Sequence, residues 1–113
     1  MSGRTITARY RSFMSADDLG VLSDEVRSQA RVDPNGEVSW HVRHTPAVLS
    51  ELAEAGRVVL GLDVRDYEDD GTFHEIAWSV YNGVDPVEAR EAALGALARD
   101  ELSGRWALIT WRS

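Results

Sequence analysis

Four carboxylates lie close together in one short stretch of this chain: Asp66, Glu68, Asp69 and Asp70. Such a cluster could bind calcium, because its first, third and fifth positions carry acidic side chains and Gly71 stands sixth, as in an EF-hand loop. The twelfth position is Ala77, where that loop needs a bidentate glutamate. We therefore predict an acidic hairpin tip, here called the acidic tip, that is either a solvated turn or a surface for a protein partner.

The histidines His41, His44 and His74 do not form a metal site by their spacing. Metal-binding pairs lie two apart on a strand or four apart on a helix, whereas His41 and His44 are three apart, and the chain has no cysteine. His41 could act with Ser39 or Ser79 and with Asp63, but no nucleophile-elbow glycine pattern surrounds either serine. We predict no catalytic residue, no metal ligand and no cofactor.

A second candidate site follows from strand alternation, which places a set of polar residues on one face of the sheet. This set, here called the polar face, comprises Arg9, Arg11, His41, Arg43, Asp63, Arg65, Glu75, Ser79 and Tyr81. Such a face can bind an anionic ligand or a partner, although cross-strand pairs of opposite charge are also usual on solvated sheets. Both interpretations stay open at this point.

The elements that position these residues are strands with one apolar side. Strand-like alternation covers residues 5–13, 37–43, 57–65, 75–81 and 105–111. Helices are indicated after Ser15 by a capping box, after Thr45 by Pro46, and after Asp85 by Pro86. The order β-α-β-α-β-β-α-β predicts an α+β two-layer domain, residues 1–113, in which about three helices cover one face of a mostly antiparallel sheet of about five strands.

Four tryptophans occur in the 113 residues. Alternation places Trp40, Trp78 and Trp106 toward the core. Trp111 has the opposite parity to Trp106, so it is either a half-exposed anchor for a partner or packed beneath a helix.

Composition limits the classes of function. The formal net charge is −7, which argues against nucleic-acid binding and suits a basic protein partner. All 12 basic residues are arginine, which we interpret as codon usage in a GC-rich bacterium. No apolar run is long enough to cross a bilayer, and the N-terminal residues lack the apolar core of a signal peptide, so we expect a cytoplasmic protein with no membrane contact.

The C-terminal third, from Val84-Asp-Pro-Val-Glu through Trp106 and Trp111, resembles the ending of small immunity proteins of bacterial polymorphic toxin systems. The resemblance implies an acidic cytoplasmic protein that blocks a basic toxin, often a nuclease, by masking its active site. We accordingly expect a protein-binding inhibitor rather than an enzyme, with the acidic tip and Trp111 as contacts. The alternative is a small ligand-binding protein or enzyme that uses the polar face, as a homodimer whose two sheets enclose a cavity.

Overall fold

The computed structural model describes residues 5–7, 19–81 and 85–112. The strands are β1 (Thr5–Thr7), β2 (Ala30–Val32), β3 (Val38–His41), β4 (Val58–Tyr67), β5 (Phe73–Val80) and β6 (Trp106–Arg112). The helices are α1 (Asp24–Ser28), α2 (Thr45–Glu54) and α3 (Pro86–Leu97), with short 3-10 turns at Val42–His44 and Asp100–Leu102. The predicted α+β class and element order are confirmed, and β2 is an additional short strand. The rest of the predicted first strand and the capping box at Ser15 lie outside the described residues.

The sheet is antiparallel at every described pairing, in the order β2-β3-β6-β4-β5. Strand β4 pairs with β6 along most of its length. The other edge of β6 is shared, because β1 pairs with its residues 110–112 and β3 pairs with Trp106 and Ala107. Strand β6 is therefore central, while β2 and β5 end the path.

The helices cover one face of this sheet and enclose the core. Pro46 and Pro86 occupy the first turns of α2 and α3, where a missing N–H costs no helical hydrogen bond. The Trp40 indole is fully buried on this face and donates a hydrogen bond to the Val26 carbonyl of α1, 2.9 Å away. The main buried apolar residues of the helices and the strands beneath them are Val48, Leu49, Leu52, Ala93, Leu62, Val64, Ala107 and Ile109.

The predicted inward positions of Trp78 and Trp106 are wrong. The Trp78 side chain is 69% exposed on the face away from the helices, and Trp106 is half-buried on that same face, opposite His41. In β5 the cause is a bulge: Val64 pairs with Ala77, but the next residue, Arg65, pairs with Glu75, so one extra residue resets the alternation. In β6 the cause is that the strand lies in the middle of the sheet. Residues 107–109 are all buried there, so the pattern of apolar residues does not distinguish the two faces of the strand.

No helix in the described residues is long and apolar enough to cross a membrane.

Candidate interaction surface

The described residues that were predicted for the polar face do not all lie on one face of the sheet. His41, Asp63, Arg65 and Glu75 do lie on the face away from the helices, as their pairing with Trp106, Trp78 and one another shows. Arg43 lies in the 3-10 turn after β3. The predicted outward positions of Ser79 and Tyr81 are wrong, because the bulge turns Ser79 toward the helix side with Leu62, and Tyr81 packs against the core. Arg9 and Arg11 lie outside the described residues.

Arg65 is buried in a charged cluster that faces away from the helices. Its side chain is 8% exposed, and its Nη2 donates to Glu37 Oε2 at 3.1 Å. Its Nη1 lies 3.8 Å from Asp33 Oδ2, close enough for an ion pair but too far for a hydrogen bond. Desolvation acts to lower the pKa of Arg65, but the hydrogen bonds with Glu37 and Tyr67 outweigh it and raise that pKa. Arg65 is therefore a structural cation held by two carboxylates.

Aromatic rings enclose this cluster. The Arg65 guanidinium lies 3.9 Å from the centre of the Phe73 ring, and the Arg31 guanidinium lies 4.3 Å from the centre of the Tyr67 ring. The Tyr67 hydroxyl donates to Asp33 Oδ2 at 3.3 Å. These contacts form a small second core, in which Arg65 is held by other side chains of the protein. Strand parity found Arg65. Its partners were missed, because the sequence marks Asp33 only as the start of an Asp-Pro-Asn-Gly turn and Glu37 only as the first residue of the next predicted strand.

His41 and Arg43 line a separate open cavity of about 220 Å³ together with Arg99 and Ser103. The His41 Nδ1 accepts a hydrogen bond from the Arg43 backbone N–H at 3.2 Å, so that nitrogen carries no proton. Burial lowers the pKa of His41, and electrostatic interaction with Arg43 and His44 lowers it further. This cavity brings together two arginines that could attract an anion.

The acidic tip joins β4 to β5, and its carboxylates differ in what they contact. Asp66 forms an ion pair with Arg105, and Glu68 Oε1 lies 3.2 Å from His74 Nε2. Asp70 Oδ1 accepts hydrogen bonds from the Thr72 hydroxyl at 2.6 Å and from the Thr72 backbone N–H at 2.9 Å. The hydroxyl bond first, and then the backbone bond, lower the pKa of Asp70. Glu68, Asp69 and Asp70 are all exposed, so the tip presents negative charge to solvent.

Trp111 is not a surface anchor. Its side chain is 1% exposed and belongs to the hydrophobic core. The predicted partner contact at Trp111 is therefore wrong. Trp106 lies on the face of β6 away from the helices, and Trp111, which has the opposite parity, packs on the helix side. The exposed tryptophan of this chain is Trp78.

An apolar strip, defined by Ile76, Trp78 and Val80, runs along β5 beside the acidic tip. Their exposed fractions are 42%, 69% and 64%. This strip was not predicted, because strict alternation assigned the same three residues to the core.

The described residues hold no group of three or more histidine and acidic side chains that could bind a metal ion. Comparison with protein-family models, curated proteins and solved structures finds no match to this chain.

Proposed function

We propose that this protein is an acidic protein-binding module whose acidic tip binds a basic protein. The observation that carries the proposal is the construction of the tip. Glu68, Asp69 and Asp70 are exposed, yet Gly71 lies against Pro34 of the β2–β3 turn, so the hairpin end is fixed in place. A fixed surface loses little conformational freedom on binding, and its charge speeds the encounter with a basic partner.

The specific form of the proposal is a cytoplasmic inhibitor of the immunity-protein class that blocks a basic toxin or nuclease. The net charge of −7 supports this choice, because it favours a cationic protein and opposes nucleic acid. The resemblance of the C-terminal third to immunity proteins supports it as well. The protein would act by covering its partner and would perform no chemistry itself.

The test compares capture by the wild-type protein and by a variant with a neutral tip. The variant carries Glu68→Gln, Asp69→Asn and Asp70→Asn, which keep the size of each side chain. The tagged proteins are incubated with lysate of the host at about 0.1 M and about 1 M salt, between which the Debye length falls from about 10 Å to about 3 Å. We expect a stoichiometric basic protein on the wild type at low salt, and its loss from the variant.

The matched control removes three exposed carboxylates elsewhere, by Glu25→Gln, Glu54→Gln and Glu88→Gln. It has the same net charge as the tip variant and should retain the partner. If both variants lose the partner equally, only total charge matters and the tip is not the site. A captured nuclease that stays active when saturated with this protein would reject the inhibitor role.

A second candidate function is binding of a small anionic ligand in the cavity of His41, Arg43 and Arg99. The presence of two arginines in the cavity lining favours it, although Arg99 also forms an ion pair with Glu101. A homodimer is the form first expected for this function. Because a bound ligand stabilises the folded state by mass action, phosphate should raise the melting temperature of the wild type more than that of Arg43→Gln. An equal response of the two proteins would reject this function.

A further inference from the structure

Strand β5 has one edge with no partner among the described residues, where β4 is its only neighbour. The backbone N–H of Tyr81, just after the strand, donates to the Leu60 carbonyl of β4 at 2.8 Å. The backbone N–H and C=O groups of successive residues point to alternate sides of a strand, so those of Ser79 and Ala77 also point toward β4. The N–H and C=O groups of Trp78 and Val80 therefore point outward, at the open edge.

The side chains at this edge are apolar. Ile76, Trp78 and Val80 form the strip described above, and Trp78 at its centre is the most exposed of the three. An apolar edge of this kind is a template for another strand, and natural sheets usually protect it with charge, proline or a bulge. From Ala77 to Val80, beyond the bulge at Ile76, the chain has none of these.

The segment is symmetric about Trp78 in the class of its side chains. Its order is aliphatic, small, aromatic, small, aliphatic: Ile76, Ala77, Trp78, Ser79 and Val80. An identical strand that runs antiparallel, centred on Trp78, would place Ala77 opposite Ser79 of the other copy, with Ile76, the bulge residue, beyond the regular pairing and near Val80. The two Trp78 residues would face one another and exchange both backbone hydrogen bonds, as their outward groups require.

We propose that two copies of this protein associate through β5, antiparallel about a twofold axis at Trp78, so that the two sheets become one. The charge distribution permits this pairing. The acidic tip precedes β5, so an antiparallel arrangement puts the two tips at opposite ends of the contact. No charged side chain falls between residues 76 and 80, and a pair of apolar, uncharged strips is complementary only to its own kind or to another neutral strand.

The proposed interface is small in area, so we expect a weak dimer. A standard specific interface buries about 800 Å² on each partner, more than three side chains and a short strand provide. We therefore expect a reversible dimer whose population rises with protein concentration. This interface differs from a dimer in which two polar faces enclose a cavity.

Sedimentation equilibrium of the full chain over a concentration series tests the proposal. We expect the mass to rise from 12.5 kDa toward twice that value. Trp78→Glu places two like charges across the axis and removes the central aromatic pair, so the dissociation constant should rise at least about tenfold. Because the Trp78 side chain is largely exposed, the variant should keep its circular dichroism spectrum and its fold.

The matched control is Val32→Glu, which makes the same kind of change at the other end of the sheet, on β2, where Val32 is 56% exposed. It should leave the dissociation constant unchanged. Hydrogen exchange adds a direct measurement: the Trp78 amide should be protected only at concentrations that populate the dimer, whereas the Ser79 amide, bonded to β4, should be protected at all concentrations. A monomer throughout the series, or a dimer that Trp78→Glu does not weaken, would overturn the proposal.

Discussion

Gly71 and Pro34 lie at the tips of two different hairpins and touch one another. A Cβ atom built on Gly71 would be 2.6 Å from Pro34 Cγ, closer than side chains approach. The backbone φ of Gly71 is +89°, in the left-handed region that favours glycine. The β2–β3 turn therefore packs against the acidic tip. The ion pairs of Arg65 with Asp33 and Glu37 lie next to this contact, because these two carboxylates flank the β2–β3 turn.

Gly71→Ala should destabilise the protein, because it adds both backbone strain and a clash with a rigid ring. We expect a loss of about 1–3 kcal/mol in the free energy of unfolding, the usual cost of an unfavourable backbone conformation. Urea denaturation followed by tryptophan fluorescence measures it. The control is Gly95→Ala in α3, where an added Cβ meets nothing within 4 Å; it should raise stability by about 0.5–1 kcal/mol. Equal effects of the two substitutions would contradict the contact described here.

Arg65→Ala should be among the most destabilising single changes in this chain. It removes the ion pair of the buried Asp33 carboxylate and the hydrogen bond that Arg65 donates to Glu37, and breaking a buried ion pair costs about 3–5 kcal/mol. Chemical denaturation at neutral pH measures the loss. Arg27→Gln is the control, because it breaks an exposed pair with Asp24 that should contribute about 0–1 kcal/mol. If Arg65→Ala costs no more than this control, the cluster is not structural.

The sequence was sufficient for the class and order of the elements, because turn and cap signals are local. Asp85-Pro86 does begin α3, where the Asp85 carboxylate accepts from the Val87 N–H at 2.9 Å. Parity within a strand was less informative. A single bulge near Ile76 reversed the faces of Trp78 and Tyr81, and a bulge depends on how two strands pair rather than on either strand alone.

The partners of the candidate sites were also beyond the sequence, for a related reason. Arg65 and Glu37 are 28 residues apart in the chain and meet because the β2–β3 and β4–β5 hairpins lie close together in the fold. The acidic tip, in contrast, was found directly, because its residues are adjacent in the chain. Local charge clusters can be predicted from sequence, whereas clusters built across strands require the register.

The Asp70 carboxyl should titrate below its ordinary pKa of 3.8. Thr72 stabilises the ionised form by donating from its hydroxyl and its backbone N–H. The stabilisation is therefore present above that ordinary pKa and is lost as the pH falls through the folded-state value. NMR titration of the carboxyl carbon measures this pKa directly. Thr72→Val removes the hydroxyl donor but keeps the N–H, so it should raise the pKa part of the way back; an unchanged titration would show that the hydroxyl bond does not matter.

Tyr81 should make the protein less stable in alkali. Burial raises the pKa of Tyr81 above its ordinary value of 10.0, and the hydrogen bond with the Ser79 hydroxyl offsets part of that rise. The folded state thus holds the phenol proton more tightly than the unfolded chain does. Its contribution to stability is fully present below the unfolded-state pKa and is lost as the pH rises through the folded-state value.

Denaturation from about pH 8 to about pH 11, a range that spans the ordinary tyrosine pKa, measures this loss. Tyr81→Phe has no phenol proton at this position, so its stability should fall less steeply over the same range. Ser79→Ala removes the bond that favours the phenolate, so ultraviolet difference spectra should show Tyr81 ionising at still higher pH. Parallel stability curves for the wild type and Tyr81→Phe would mean that Tyr81 has the same pKa in the folded and unfolded states, and that its burial against the core has no electrostatic consequence.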